Sequence, residues 1–589
     1  MAQATKRTFD TKLFKRLITY TKPYRGRLVL VAIAAILLSA FAALRPLFLK
    51  EVIDQGITLK SYDNLVYYTS LMLLMLAGEV IFQLIFVYFA NWMGQQVIKD
   101  IRVQLFGHMI TFKMSYFNNT PVGQIVTRNV SDIQKIADIF SQGLFTILAD
   151  VLKMVVILAL MFSQSWLLTL IVLAVMPVIL YATRIFQKKM KIAFEDVRNQ
   201  VSNLNTFVQE RVTGMKIVQI FSREKIEHEK FKAINKKHME AWNKTVWYNS
   251  IFFPVAEMCT AIAIGLVVWY GGLQAALETS AITVGTVTGF IVYIGMLFTP
   301  LRQIADKFNT LLMGMVAASR VFKIIDTNAS IQNDGTLELD KVHGDLSFEN
   351  VRFSYIPGEE VLKGINLEIK SGQTVAIVGS TGAGKSTIIN LLSRFYEIDS
   401  GVIKLDNTPI TDIKLRALRQ QIAVVLQDVF LFADTILNNI TLNNPDITED
   451  EVKRAAKSIG VDSFITSLPN GYHYNVKERG ATLSSGQRQL IAFLRAYVSN
   501  PSILVLDEAT SSIDSHSEQL IQNATDKITQ GRTSIVIAHR LATIKKADQI
   551  IVMEKGEIVE KGSHQELLQI ENGYYKNLYE VQFQNAEVA

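Results

Sequence analysis

Cysteine is almost absent from this 589-residue chain, which carries one, Cys259, inside an apolar run. A single thiol excludes disulfides within the chain and zinc sites built on cysteine. The ordinary reading of Cys259 is a small buried apolar side chain. Nor is a cleavable signal peptide expected. Residues 1–27 are polar and basic, with Lys6, Arg7, Lys12, Lys15, Arg16, Lys22, Arg25 and Arg27. The apolar run that follows is too long for a signal-peptide core and has no small-residue cleavage site, so the amino terminus is expected to stay in the cytoplasm. Nor is there a low-complexity basic arm: the net charge is +7, but the basic residues lie between apolar segments. Membrane topology explains that pattern better than nucleic acid does, and no nucleic-acid partner is expected. Charged residues make up only 19 % of the chain against 49 % hydrophobic, at a mean hydropathy of +0.24. The hydrophobic excess lies before about residue 315, and the length calls for at least two domains.

What is present first is a set of six apolar segments, each near the roughly 20 residues a bilayer crossing needs. They lie near Leu28–Leu49, Val66–Ala90, Leu144–Phe162, Trp166–Phe186, Phe252–Gly272 and Val284–Leu301. The fourth holds no charge; the third is interrupted by Asp150 and Lys153. Residues 91–143 and 187–251 read as long helical loops, and the second is strongly basic. The other connections are short: Ser163-Gln164-Ser165 after the third span, and a stretch with Glu278 and no basic residue after the fifth. By the positive-inside rule, both long loops and both termini face the cytoplasm. Ionisable groups inside spans (Arg45, Glu79, Asp150, Lys153, Glu257) are costly and are expected to line a polar cavity or to pair. Asp150 and Lys153, three apart on one helix, suggest an intrahelical pair. Arg45, before Pro46 near the outer end, suggests snorkelling.

The second half opens with alternating runs, Val351–Tyr355 and Ile365–Ile369, that read as strands. A short apolar strand, Val375–Val378, then runs into Gly379-Ser380-Thr381-Gly382-Ala383-Gly384-Lys385-Ser386, with Thr387 following in a helical run. Strand, glycine-rich loop and helix in that order are the context a P-loop requires. The glycines let backbone N–H groups approach phosphates, and the helix amino terminus favours their charge. Lys385 is expected on the β- and γ-phosphates and the Ser386 hydroxyl on Mg2+. A further buried-type strand, Ile503–Leu506, ends in Asp507 and Glu508; an acid at such a strand end can hold Mg2+, the role expected of Asp507.

Between these motifs lies Leu483-Ser484-Ser485-Gly486-Gln487, ahead of an apolar helix. A P-loop, this pentapeptide and Ile503–Glu508 in sequence resemble the ATP-binding cassette (ABC) ATPases. Six spans with short outer and long inner connections resemble the membrane half of ABC exporters. Tyr116, Phe117, Gly123, Arg128 and Asp132 look like the family's first coupling region, and Glu210, Gly214, Phe221 and Glu224 like the stretch bearing the second. The resemblance implies that Tyr355 stacks on adenine and that Gln427 is the Q-loop glutamine, a Mg2+ or water ligand and a mechanical link. It makes Glu508 the catalytic base, His539 the switch histidine at the γ-phosphate and Asp514 the D-loop aspartate. Ser484, Ser485, Gly486 and Gln487 would bind the γ-phosphate of ATP held by another subunit. Ser512 and Ile513 replace the commoner alanine and leucine, and Lys477 stands where the X-loop usually has glycine.

The expected architecture is therefore an all-α six-helix transmembrane domain followed by an α/β P-loop ATPase domain. Its boundaries fall at residues 1–27 for a cytoplasmic segment, 28–325 for the membrane domain and 326–342 for a linker turning at Asn333–Gly335. The ATPase domain then covers 343–582, and 583–589 form a tail. The expected function is ATP-driven export or flipping of an amphiphile, a drug or a lipid, by alternating access in a dimer. ATP and Mg2+ are the expected cofactors; membrane lipids, the amphiphile and a second half-transporter are the expected partners, in a bacterial inner membrane. A heterodimer and a peptide or lipid-linked glycan exporter are the alternatives. A soluble ATPase would lack the spans, an importer would keep its domains on separate chains, and a regulator that does not pump would be expected to lose Glu508 or His539. A peptide processor-exporter needs a protease domain for which residues 1–27 have no room.

Overall fold

The computed structural model describes residues 10–277, 281–330, 335–339, 342–507, 515–538 and 540–580. The chain divides into two compact units, residues 1–110 with 120–328, and residues 111–119 with 329–589.

The first unit is helical. An amphipathic helix α1 (Thr11–Thr19) starts on an Asp10 cap whose carboxylate accepts from Lys12 N and Leu13 N. Six long helices follow: α2 (Arg25–Glu51), α3 (Tyr62–Met109), α4 (Phe145–Gln164), α5 (Trp166–Thr213), α6 (Glu224–Ala275) and α7 (Val284–Ile325). Each lies in a helical stretch long and apolar enough to cross a membrane, as the six apolar segments require. At 48 residues, α3 and α5 run about 70 Å, more than twice the roughly 30 Å hydrocarbon core of a bilayer. The long loops are therefore largely continuations of the spanning helices themselves. Ser61, Ser165 and Thr283 cap α3, α5 and α7 with their hydroxyls. Ser165, the one residue between α4 and α5, supplies the acceptor that starts the next helix, so the expected Ser163–Ser165 connection is shorter still.

Packing in this unit centres on α7. Phe290, Tyr293, Ile294, Leu297 and Phe298 are fully buried against Leu168, Val172 and Ile179 of α5 and Ala256, Ala263 and Val267 of α6. Those stripes recur every three or four residues, as one helix face does. Cys259 sits in the same cluster as a small apolar side chain. The Tyr293 hydroxyl, which could not be left unpaired here, donates to Ala43 O at 2.9 Å.

Four of the five ionisable groups inside spans pair, though differently from the sequence expectation. Asp150 accepts from Lys307 of α7 and not from Lys153; a tertiary neighbour of opposite charge supersedes the weak pair three residues away. Arg45 reaches Glu79 at 3.2 Å instead of snorkelling outward. Glu257 accepts from Arg302 at 3.1 Å. Outside the spans, fully buried Asp132 is surrounded by Arg128, by Lys135 at 3.7 Å and by Arg320 at 3.9 Å.

The second unit is a layered α/β fold. A four-stranded sheet holds β1 (Leu346–Ile356), β2 (Glu359–Ile369), β4 (Ser400–Leu405) and β5 (Thr408–Pro409), all antiparallel. A six-stranded sheet is ordered β10–β9–β3–β8–β7–β6, with β3 (Thr374–Gly379), β6 (Ile422–Val425), β7 (Ile503–Asp507), β8 (Thr533–Ile537), β9 (Gln549–Glu554) and β10 (Glu557–Gly562). All its pairings are parallel except β9–β10. Along β3, Ala376 and Val378 enter one core while Val375 and Ile377 enter the other; on β7, Leu504 and Leu506 divide from Ile503 and Val505 in the same way. Both faces are covered, so these strands read as unbroken apolar runs without polar alternation. Helix α8 (Lys385–Leu392) and the antiparallel sheet fill one core, and α9 (Ser485–Val498) fills the other. The Asn333–Gly335 turn lies largely outside the described residues.

Candidate functional site

Parallel pairing of β6, β7, β8 and β3 sends their carboxyl ends to one edge of the sheet, where ligands of open α/β sheets bind. Gly379 ends β3, Asp507 ends β7, and Gln427 lies exposed two residues beyond β6. Ile537, the last residue of β8, pairs with both Ile377 and Asp507. Glu508, Asp514 and His539 lie outside the described residues.

The loop between β3 and α8 uses its glycines for different reasons. Gly379, at φ 149°, passes so close to the neighbouring strand that an added Cβ would stand 2.2 Å from Met553 O. Gly384, at φ 101°, caps α8 and would press Leu362. Gly382, at φ 84°, faces open space, with nothing within 4 Å. That open position lies just ahead of the amino terminus of α8, the end of a helix that favours an anion. The Lys385 ammonium, largely buried, donates to Gly379 O at 2.7 Å and Ser380 O at 2.9 Å. Burial pushes it below its ordinary value, and the negative charge of Asp507 opposes that shift. Ser380 anchors the loop by donating to Glu554 at 2.9 Å. Ala383 is buried, whereas Thr381 in the loop and Ser386 in the first turn of α8 are exposed.

Tyr355, at the end of β1, has 44 % of its surface exposed. Its ring meets Phe353 and Tyr396 edge-on, at 4.8 and 5.0 Å between centroids. Its hydroxyl donates to Thr387 and accepts from Asn390, both at 3.2 Å. The strand tyrosine is thereby tied to α8 while part of its surface stays exposed.

Ser484 is the amino-terminal cap of α9. Its hydroxyl accepts from Gln487 N at 3.2 Å, and Gln487 Oε1 accepts from Ser484 N at 2.9 Å. This is a capping box, readable in advance from serine followed three residues later by glutamine. Ser485 and Gly486 form the first turn of α9. Upstream, Lys477 adopts φ 60°, ψ −174°, and Arg479 and Gly480 also have positive φ. An added Cβ on Gly480 would stand 2.9 Å from Arg488 and from Leu431, so this loop lies tightly against α9.

Two residues with no motif to announce them hold the Gln427–Phe432 loop in place. Buried Asn439 accepts from Phe432 N at 2.8 Å and returns a bond to Phe432 O at 3.0 Å. Arg495 of α9 donates to Asn439 O at 2.8 Å, and burial lowers its guanidinium from the ordinary value. In the first coupling region, Tyr116 and Phe117 form a short helix, Met114–Asn119, and Arg128 pairs with Asp132 in a π-helical turn. In the second, Glu210, Arg211 and Glu227 form an ion network beside Gly214 and Phe221.

Six membrane-crossing helices joined in one chain to a P-loop ATPase define an integral membrane transporter that runs on nucleotide. The chain belongs to the ABC transporter family: residues 28–301 match the ABC transporter transmembrane region and residues 362–511 the ABC transporter ATPase. It is 34 % identical to an ATP-dependent lipid A-core flippase of Syntrophus aciditrophicus, covering 98 % of this chain and 95 % of that one. A putative multidrug export ATP-binding/permease protein of Bacillus subtilis is also 34 % identical, with 97 % and 99 % covered. A bacterial Atm1-family ABC exporter solved with ATP bound superposes at a TM-score of 0.76 and 27 % identity, over 95 % of this chain and 98 % of that one. The protein is thus an ATP-driven exporter of the half-transporter type, and half-transporters of this family typically dimerise.

Proposed function

We propose that two copies of this chain form a homodimer that moves an amphiphile, a lipid or a lipophilic drug, outward across a bacterial inner membrane. Both termini then lie on the cytoplasmic side. One observation carries the reading: a P-loop and a capped signature helix on the same polypeptide as six apolar helices. The names of the relatives, a lipid flippase and a multidrug exporter, support the substrate class. So does a cavity of about 600 Å3 between α5 and α7, lined by Phe186, Met190, Lys191, Arg198, Asp306 and Phe308. Such walls offer apolar contact and charge together.

In this reading the open face at Gly382 and the amide groups through Thr387 receive the phosphates, with Lys385 as their cation. Tyr355 takes the adenine on its exposed face. Ser386, Asp507 and Gln427 are the Mg2+ side of the site. Magnesium commonly takes one or two carboxylates together with phosphate oxygens and water, which suits a hydroxyl and a single strand-end aspartate. The metal would neutralise charge on the β- and γ-phosphates. Ser484, Ser485, Gly486 and Gln487 of one copy close over the γ-phosphate held by the other. Glu508 polarises the attacking water, His539 contacts the γ-phosphate and Asp514 lies at the junction between copies. Alternating access follows from the two nucleotide-dependent states.

The test is reconstitution of the full chain alone, with ATPase activity followed across a panel of lipids and lipophilic compounds. Wild type should hydrolyse ATP without a second gene product, and Glu508→Gln should abolish steady-state turnover while still binding ATP. Lys385→Ala should weaken ATP binding itself. Turnover at the wild-type rate in Glu508→Gln would refute the assignment of the base. Hydrolysis appearing only with a different partner chain would refute the homodimer.

A further inference from the structure

The second unit contains a contact chain that leaves the base-stacking candidate and ends on the segment following α3. Tyr355 is bonded through its hydroxyl to Thr387 and Asn390, on the helix that follows the phosphate loop. Its ring meets the Tyr396 ring at 5.0 Å and 90°, and buried Phe353 closes the triangle at 4.8 and 5.7 Å. The Tyr396 hydroxyl accepts from Asn118 Nδ2 at 2.6 Å. Asn118 is the penultimate residue of the short helix Met114–Asn119. Lys113 N donates to Ala329 O at 2.8 Å, and Phe112 bridges Ser330, so both ends of this segment are held within the second unit.

This arrangement has a mechanical consequence. Edge-to-face aromatic contacts have a preferred geometry, so a base laid on the exposed face of Tyr355 restricts the ring against which Tyr396 stands. Tyr396 has one polar atom, and that atom receives the Asn118 amide. We infer that Tyr396 is a positioning residue that ties occupancy of the base site to the Thr111–Asn119 segment, so that the nucleobase, and not the phosphates alone, sets the state of that segment. The inference rests on the reading of Tyr355 as the adenine contact. Tyr396 itself touches no nucleotide in this scheme. Its removal leaves binding and hydrolysis in place and alters what the first coupling region registers.

Hydrogen exchange of residues 111–119 in the full-length protein in lipid nanodiscs provides the test, with MgATP compared to magnesium tripolyphosphate, which has no base. In wild type, MgATP should slow exchange across 111–119 by about 3- to 10-fold, the range that one neutral hydrogen bond supports, and tripolyphosphate should not. Tyr396→Phe keeps the ring and loses the hydroxyl; Asn118→Ala removes the donor. Each should reduce the ATP effect to less than about 2-fold, the double variant should lose no more than either single one, and the KM for ATP should stay within about 2-fold. A response to ATP that survives in Tyr396→Phe, an equal response to tripolyphosphate, or no response in wild type would overturn the inference. Tyr355→Ala separates the two levels. Unchanged ATP affinity in that variant refutes the base-site reading itself, whereas weakened affinity together with an intact response in Tyr396→Phe refutes only the connection to Asn118.

Discussion

Replacing Lys477 by glycine should stabilise the ATPase unit, although it removes a charged side chain and adds a flexible residue. Lys477 sits at φ 60°, ψ −174°, a region that is essentially glycine territory. The surrounding chain holds it there: Lys477 N donates to Asn475 Oδ1 at 2.9 Å, Val476 N donates to Asp434 O at 3.0 Å, and Thr482 Oγ1 donates to Val476 O at 3.1 Å. A non-glycine residue in such a conformation costs about 1–3 kcal/mol. Glycine gives back roughly 0.5–1 kcal/mol through the freedom of its unfolded chain, leaving a net gain near 1 kcal/mol. For a unit of this size that is an upward shift of about 2–4 °C in the unfolding midpoint. The assay is differential scanning fluorimetry of the full-length protein in detergent, with Lys477→Ala as control. Alanine removes the side chain and keeps the strained backbone, so it should leave the midpoint unchanged. An equal gain from alanine would assign the effect to the side chain, and no gain from glycine would refute the strain argument altogether.

Gly285→Ala should be strongly destabilising, because the added carbon would stand 2.5 Å from Lys50 O and 2.6 Å from Asp54 Oδ1, where Asp54 accepts from Gly285 N and from Thr283. A loss of roughly 1–3 kcal/mol is expected for breaking that bond in a buried corner. Gly107→Ala in α3, with nothing within 4 Å, should instead be neutral or stabilising by roughly 0.5–1 kcal/mol; comparing the two midpoints checks both. His564 predicts a pH dependence. Burial first, and the nearby Lys545 charge second, hold it below the ordinary 6.5, beside the Tyr575 hydroxyl at 2.7 Å. The folded state therefore favours the neutral ring, so its contribution is complete above about pH 6.5 and is lost as the pH falls from there toward the lower folded value. Midpoints measured between pH 8 and 5.5 should decline less in His564→Gln than in wild type.

The parts of this molecule that sequence discloses are those with local causes. Six runs of membrane length need only composition, and the loop from Gly379 to Ser386 is recognisable because spacing and residue type together carry its chemistry. Partnerships across the fold leave no such trace. Asp150 has a lysine three residues away, yet it pairs with Lys307, 157 positions distant, because α4 and α7 lie together. The alternate allocation of Val375–Val378 to two cores is likewise silent, since both faces require the same apolar residues. Lys477 stood out as a departure from glycine, but only the backbone reveals that the glycine conformation was kept. Asn439 and Arg495 carry no signal at all: an asparagine and an arginine become structural only when Phe432 and a buried carbonyl arrive beside them.

The ammonium of Lys385 carries three N–H donors, and two of them go to Gly379 O and Ser380 O at 2.7 and 2.9 Å. Both partners are neutral oxygens, so the bonds fix where the charge stands without cancelling it. In the reading proposed above, the third donor is the one a phosphate would take. A long lysine side chain ordinarily gives up rotamer freedom when it is pinned, and here the loop's own carbonyls do the pinning. The loop thus presents its cation already aimed, which spares the nucleotide the work of ordering it.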